Sequence, residues 1–488
     1  MSLSSAEDQA HPIVSEASTT TSSHWFGLAV VLIATFMSML DGFVVNVAIP
    51  SIQRDLLATP TEIELIGAAY SLPYALLVIT GGRLGDLFGI RRLFLIGMAL
   101  FTGFSALCAF APNPILLIAA RVGQACGGAL LYPQVLSYIQ VSFQKKERAQ
   151  ALSLWGAVVG IASVFGQLIG GSLITANLAG LGWRSAFLAN VPLGIIVLIG
   201  AWIFVFDHRK LRKTRLDLIG TVLIASGLLL LLYPILQGSS AGWPWWMIAC
   251  LPLALLVLVG FGLFERRMAA RNATPLINLM LFRLPNFLWG ACLALVWCIS
   301  IAAFFFVLAL YLQSGIGFSP VLSGLAFIPL GISFIVAAAT SGTLLTRLGG
   351  WTFALALALA AVGTFGLFLA SKASGMTPPA WILLIATLAL VGFGLGLGGP
   401  TVMTFALADV PEQEAGSASG MMETMMQLGF ALGTPLIGLV FFSVAGGSTN
   451  SAHSFTQGFT TSMFYLGCCL VVLLALIPFL VRSTRKNK

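Results

Sequence analysis

Long apolar runs follow one another through almost the whole chain, and that succession constrains its fold more than any other feature. The first run, WFGLAVVLIATFMSMLDGFVVNVAIP, occupies residues 25–50. About 20 apolar residues suffice for a helix to cross a bilayer core. Inside hydrocarbon only helices and closed barrels satisfy their own backbone groups, and runs of this length point to helices. Fourteen are expected, over 25–50, 61–82, 92–111, 114–138, 148–176, 184–206, 216–237, 243–264, 284–314, 319–346, 350–371, 379–408, 416–444 and 457–481. Composition agrees. The chain has 488 residues, 58% hydrophobic and 8% charged, where a soluble domain carries about 25% charged residues. The fold class expected is therefore an all-α membrane protein with its apolar mass facing lipid.

The net charge of +8 does not indicate a nucleic-acid partner, because the basic residues fall in short loops between apolar runs, where they set topology. With the N-terminus inside, twenty of the 24 Lys and Arg lie in cytoplasmic loops or the tail, three (Arg54, Arg184, Lys372) lie outside, and Arg121 lies within a span. That asymmetry predicts an even number of spans and two cytoplasmic termini. Residues 1–24 are Ser/Thr-rich and lack Lys and Arg. They read as a disordered cytoplasmic tail rather than a signal peptide, which needs a positive start. Residues 482–488 form a basic cytoplasmic tail.

The chain repeats itself with an offset of about 260 residues. GRLGDLFGIRR from Gly82 falls on GTLLTRLGGW from Gly342, and Gly156, Gly160 and Gln167 fall on Gly416, Gly420 and Gln427. Two six-helix bundles are expected, 25–206 and 284–481, with two additional helices and linkers in 207–283. Repeats with a site at their interface are a transporter design.

Asp41 stands inside the first run. A charge there costs about 2.5–3.5 kcal/mol even on the lenient insertion scale, so an anchor would not carry it. Arg121 is the basic residue deepest in a span. Its attraction favours the Asp41 carboxylate while desolvation opposes it, a competition that suits a group loading and releasing a proton. A fixed structural ion pair is the alternative. Glu423 shares a helical stripe with Gln427 and Gly420. It either faces a cavity and favours cationic substrates, or sits in the first turn of a span that begins later. Aromatic and methionine side chains suit varied apolar or cationic ligands. The candidate substrate-binding set is Asp41, Phe43, Asn46, Tyr70, Tyr74, Trp297, Phe305, Met422, Glu423 and Gln427, with Asp41, Arg121 and Glu423 as the proton-coupling set. In the loop after the second run, Gly82 and Gly89 allow a tight turn and close helix approach. Asp86 there either pairs with neighbours such as Arg91 and Arg92 as a conformational latch, or is simply solvated in a positive loop.

That loop resembles the signature loop of the major facilitator superfamily. LDGFVVNVAIP (40–50) resembles the first-span motif of its fourteen-span drug:proton antiporter branch, and L-x-x-x-R-x-x-Q-A-C-G (117–127) its fourth-span motif around a buried Arg. GWRSAFLANVPLG (182–194) and VPEQEAGSASG (410–420) extend the likeness over residues 25–481. Three positions depart from the pattern. Phe43 stands where Thr is usual, Gln167 replaces the proline of the fifth-span motif, and Glu423–Met426 replaces Asn-x-x-Arg. The resemblance implies a proton-coupled exporter of amphiphilic, cationic small molecules in a bacterial-type inner membrane, working by alternating access. A dedicated exporter of one metabolite, antibiotic or lipid-like compound is the alternative. The expected partners are substrate, protons and membrane lipid, with no nucleic acid, and the expected working unit is a monomer.

No Walker motif is present, so ATP is not the expected fuel. Asp217 reads as the N-cap of the seventh run, and the Trp243, Trp245, Trp246 group as an interfacial belt. The seven cysteines lie in or beside apolar runs and read as packing residues. The four histidines (11, 24, 208, 453) are scattered. No cofactor, metal site or catalytic group is expected, and no enzyme activity.

Overall fold

The computed structural model describes residues 21–143, 145–205, 217–270, 279–372, 378–410, 415–445 and 452–485. The N-terminal tail to residue 20, most of the basic linkers and the acids at 412 and 414 fall outside them. Every regular element among the described residues is helical. The N-terminal helices are α1 (Thr21–Leu56), α2 (Pro60–Phe88), α3 (Ile90–Ala109), α4 (Pro114–Ser142), α5 (Lys145–Ala176), α6 (Arg184–Leu188) and α7 (Asn190–Phe204). α8 (Leu218–Ala241) and α9 (Trp245–Ala270) come next. The C-terminal helices are α10 (Pro285–Leu310), α11 (Pro320–Ala326), α12 (Ile328–Leu348), α13 (Trp351–Lys372), α14 (Pro378–Leu407), α15 (Ala415–Ala445) and α16 (Ala452–Arg485). Among the described residues, eleven spans are long and apolar enough to cross a membrane. α6 with α7, α10 with the π-turn after it, and α11 with α12 each count as one.

Local chemistry explains the helix boundaries. Thr59 and Glu62 form a capping box, in which the Thr59 Oγ1 accepts from the Glu62 N–H and the Glu62 carboxylate accepts from the Thr59 N–H at 2.8 Å, and Pro60 opens α2 with its fixed φ. Asn113 and Ser319 cap helices that also begin on proline. The Asp217 carboxylate accepts from the Gly220 N–H at 2.8 Å and caps α8, as its place before LIGTVL implied. Gly89 joins α2 to α3 at φ 96°, a left-handed geometry that favours glycine.

The pairings of the first half recur in the second. α1 packs on α5, α2 on α4, α3 on α4 and α3 on α7; correspondingly α10 packs on α15, α12 on α14, α13 on α14 and α13 on α16. α8 and α9 pack together, with α8 lying against α2 and α15. Trp243 in the turn between them and Trp245 and Trp246 at the start of α9 are exposed. The halves meet where α2 packs on α15, and where α5 packs on α11 and α12.

Candidate functional site

Asp41 lies midway along α1 and is 3% exposed; Arg121, two turns into α4, is 1% exposed. Their side chains form an ion pair. Asp41 is also held by two amides, for its Oδ1 accepts from Gln124 Nε2 and from Asn190 Nδ2, each at 2.9 Å. Gln124 accepts from Arg121 at 2.8 Å and donates to Ser105 at 2.7 Å. Four elements, α1, α3, α4 and α7, thus converge on one carboxylate. Such a charge is tolerable out of water only when its lone pairs are met. Gln124, Asn190 and Ser105 were missed from sequence, because a neutral amide or hydroxyl in an apolar run reads as packing. The usable signal was a Gln or Asn within runs that otherwise carry few polar groups.

The guanidinium of Arg121 lies 4.8 Å from the centre of the Tyr70 ring, a cation–π contact. Tyr70 shares its hydroxyl with Ser38 at 2.9 Å. Ser38 and Tyr70 also line a cavity between the two halves. They therefore form the wall between the ion pair and that cavity.

The cavity holds about 730 Å³ of empty space, part of it open to its surroundings. α1, α2, α10 and α15 line it. Of the substrate-binding candidates, Phe43, Asn46, Tyr70, Tyr74, Phe305 and Gln427 are in its lining, joined by Ser71, Phe430 and Thr434, which sequence reasoning did not single out. Phe43 meets the Phe305 ring edge-on at 5.4 Å, and Phe305 stacks on Phe327 at 5.6 Å. No lining residue is charged. Asp41, Glu423, Trp297 and Met422 are not in the lining. Asp41 is behind the wall. Trp297 is 1% exposed and packs on Phe353 within the second half, and Met422 is fully buried there. A large apolar side chain in a helix looks the same to the sequence whether it faces a neighbour or a cavity. Glu423 lies beyond the first turn of α15, so the reading of it as a helix-start acid is set aside. It is partly buried and accepts from Gln427 Nε2 at 2.9 Å, one turn away from the lining.

The cavity closes at the end that carries the α1–α2 turn. Gln313, in a π-turn at Tyr311–Gly315, donates across to the Val47 carbonyl at 2.9 Å. The Val321 N–H donates to Thr175 Oγ1 at 3.0 Å, joining α11 to α5. At the opposite end, Gly82 is partly buried in α2 and Gly89 makes the turn described above. Arg91 donates to the Trp202 carbonyl and lies 4.9 Å from the Trp202 ring centre, while Arg92 is exposed. The Asp86 side chain is outside the described set.

A family model described as Major Facilitator Superfamily matches residues 31–218 and 212–434. The chain is 37% identical over 431 residues to the "Probable actinorhodin transporter" of Streptomyces coelicolor, covering 88% of this chain and 74% of that one. It is 35% identical to "Puromycin resistance protein pur8" of Streptomyces alboniger, covering 85% and 81%. It is 30% identical to "Multidrug resistance protein Stp" of Mycobacterium tuberculosis, covering 84% and 75%. Its fold is similar to the crystal structure of a bacterial homologue of the human lysosomal transporter Spinster in an inward-facing, unoccupied conformation, with a TM-score of 0.69 at 16% identity, covering 96% and 99%.

Proposed function

Because this chain belongs to the Major Facilitator Superfamily, a family of multi-pass membrane transporters, we propose that it is a proton-coupled exporter of amphiphilic small molecules, cations among them, working by alternating access. The observation that carries this reading is the buried Asp41–Arg121 pair lying one side-chain layer behind the inter-half cavity, with Ser38 and Tyr70 between them.

The mechanism follows from that layering. Substrate enters the cavity, lies on the Phe43 and Phe305 faces and hydrogen-bonds to Asn46 or Gln427. Its arrival shifts Tyr70, and with it the cation–π contact that helps hold Arg121 on Asp41. Protonation of Asp41 loosens the pair and lets α1 and α4 move apart; loss of the proton restores it. Glu423, through Gln427, adds attraction for positive charge. The drive is the proton gradient plus the membrane potential, about 2.3 kcal/mol per charge per 100 mV. In the proposed topology fourteen helices cross a bacterial inner membrane with both termini cytoplasmic. Residues 25–206 and 284–481 form the two rocking bundles, 207–283 carries the two additional helices, and the working unit is a monomer. The Gly82–Arg92 loop, with Asp86 and Arg91, latches the outward-facing state. The recurrent pairing of helices supports the two-bundle division, and the skew of basic residues supports the orientation.

The test is substrate export from proteoliposomes under an imposed pH gradient. Asp41→Asn is expected to abolish gradient-driven export and its pH dependence while substrate binding persists. Export that stays pH-dependent at the wild-type rate would remove Asp41 from the mechanism. A second reading, a dedicated exporter of one compound, is favoured by the uncharged lining and by relatives named for single compounds. A substrate panel that includes cationic dyes separates the two.

A further inference from the structure

A second carboxyl lies between the halves at the closed end, and the mechanism above does not use it. Glu64 follows the capped start of α2 and is 5% exposed. It faces α15. A Cβ at Gly438 would stand 3.0 Å from Glu64 Cγ and nearer still to its carboxyl, so the absent side chain at 438 is what makes room for the acid. One turn further along the seam, a Cβ at Gly67 would come 3.1 Å from Thr434 Cγ2. The seam is therefore tight at Glu64 and one turn along from it.

Every nearby charge among the described residues has another partner or is absent. On α2 itself, Glu62 is spent on the Thr59 cap and Tyr70 on Ser38. On α1, Arg54 donates to the Pro50 carbonyl, and Asp55 is taken by Arg184 and Trp183. On α4, Arg121 is committed to Asp41. Arg91 and Arg92 of α3 are at the other end of that hairpin. α15 carries no charged residue beyond Glu423, and α8 carries none. Glu64 itself joins no ion pair and accepts no hydrogen bond among the described residues.

A carboxylate removed from water with neither donor nor counter-charge is among the costliest burials in a protein, and such a group takes up a proton instead. Parting of α2 from α15 would hydrate Glu64 and let it ionise. Re-closing would then need the proton back. We propose that Glu64 is a proton-binding site, separate from the Asp41–Arg121 pair, whose protonation holds the α2–α15 seam shut. Closure binds a proton and opening releases it, so acid favours the closed seam and base the open one. In the proposed topology, on which this one clause rests, the seam is external: acid outside would shut that gate after substrate leaves. The proton on Glu64 enters and leaves from the same side, so it gates without being transported.

The experiment is hydrogen–deuterium exchange on the full-length protein in nanodiscs, without substrate or gradient, across pH and corrected for intrinsic exchange. The readout is the peptides covering 60–70 and 430–445. In the wild type, the opening equilibrium of these peptides is expected to rise with pH by up to about tenfold per pH unit, the limit for one linked proton. Glu64→Gln, close in size and permanently neutral, should keep the seam protected at every pH. Glu64→Asp should retain a pH-dependent profile, and so should Asp41→Asn, whatever constant offset the loss of that ion pair adds. A Glu64→Gln seam that opens with the wild-type profile, or a profile lost in Asp41→Asn alone, overturns the proposal. Because no transport is measured, an absence of proton-driven export in vesicles would sink the proposed function and leave this result standing.

Discussion

At the scale of single residues the site turns on how a buried charge is met. Asp41 and Arg121 are legible in the sequence because a charged residue inside an apolar run carries an insertion cost that makes it stand out. Gln124, Asn190 and Ser105 are not, since each is neutral and only the convergence of α3, α4 and α7 on α1 makes them donors or acceptors in one network. The energetic order follows. Arg121→Ala leaves a buried carboxylate without its cation and is expected to cost about 3–5 kcal/mol. Asn190→Ala removes one hydrogen bond to a charged group, about 1.5–3 kcal/mol. Paired neutralisation, Asp41→Asn with Arg121→Met, should be milder than Arg121→Ala because no charge is stranded. Thermal unfolding in detergent ranks the three. Arg121→Ala as mild as Asn190→Ala would mean that water reaches the pair.

Elements pack closely where glycine removes a side chain. In lipid, helices associate by van der Waals contact rather than by a hydrophobic drive, so backbone proximity matters more than apolar area. A Cβ on Gly127 of α4 would stand 2.8 Å from the Gly97 carbonyl of α3. Gly42, in the cavity lining, would meet nothing within 4 Å. Gly127→Val is therefore expected to cost about 1–3 kcal/mol by overpacking, whereas Gly42→Ala should leave thermal stability unchanged and act only on substrate affinity. Equal destabilisation by both would show that close packing is not what distinguishes them. α1 contains a second local device. Pro50 withholds the N–H that the Asn46 carbonyl would otherwise accept, and the next carbonyl, that of Val47, accepts from Gln313 of the other half. The proline was visible in the sequence. The partner 266 residues away was not, and neither was the π-turn that presents it.

For the whole molecule, the two halves touch at the end where the cavity closes, through Val47–Gln313, Thr175–Val321 and the α2–α15 seam. The proposed alternating access requires these contacts to break. A cysteine pair at Thr175 and Val321 joined by a short cross-linker should therefore stop export, with full recovery when the linker is cleaved; export at the uncross-linked rate would rule out opening at this end. The all-helical succession of long apolar runs, the repeat between halves, the helix cap at Asp217, and the presence of charge in the first and fourth runs were all written in the chain. They depend on composition and on neighbours a few residues away, which is information a sequence carries directly. Which faces of α1, α2, α10 and α15 look into the cavity, that Asp41 sits behind Tyr70 rather than in the cavity lining, that Trp297 and Met422 are buried within the second half, and that Glu64 meets a bare backbone at Gly438 were decided by the tertiary structure alone. Helices apolar on every side have no periodic signal to orient them, so their rotation is set by packing against partners hundreds of residues away.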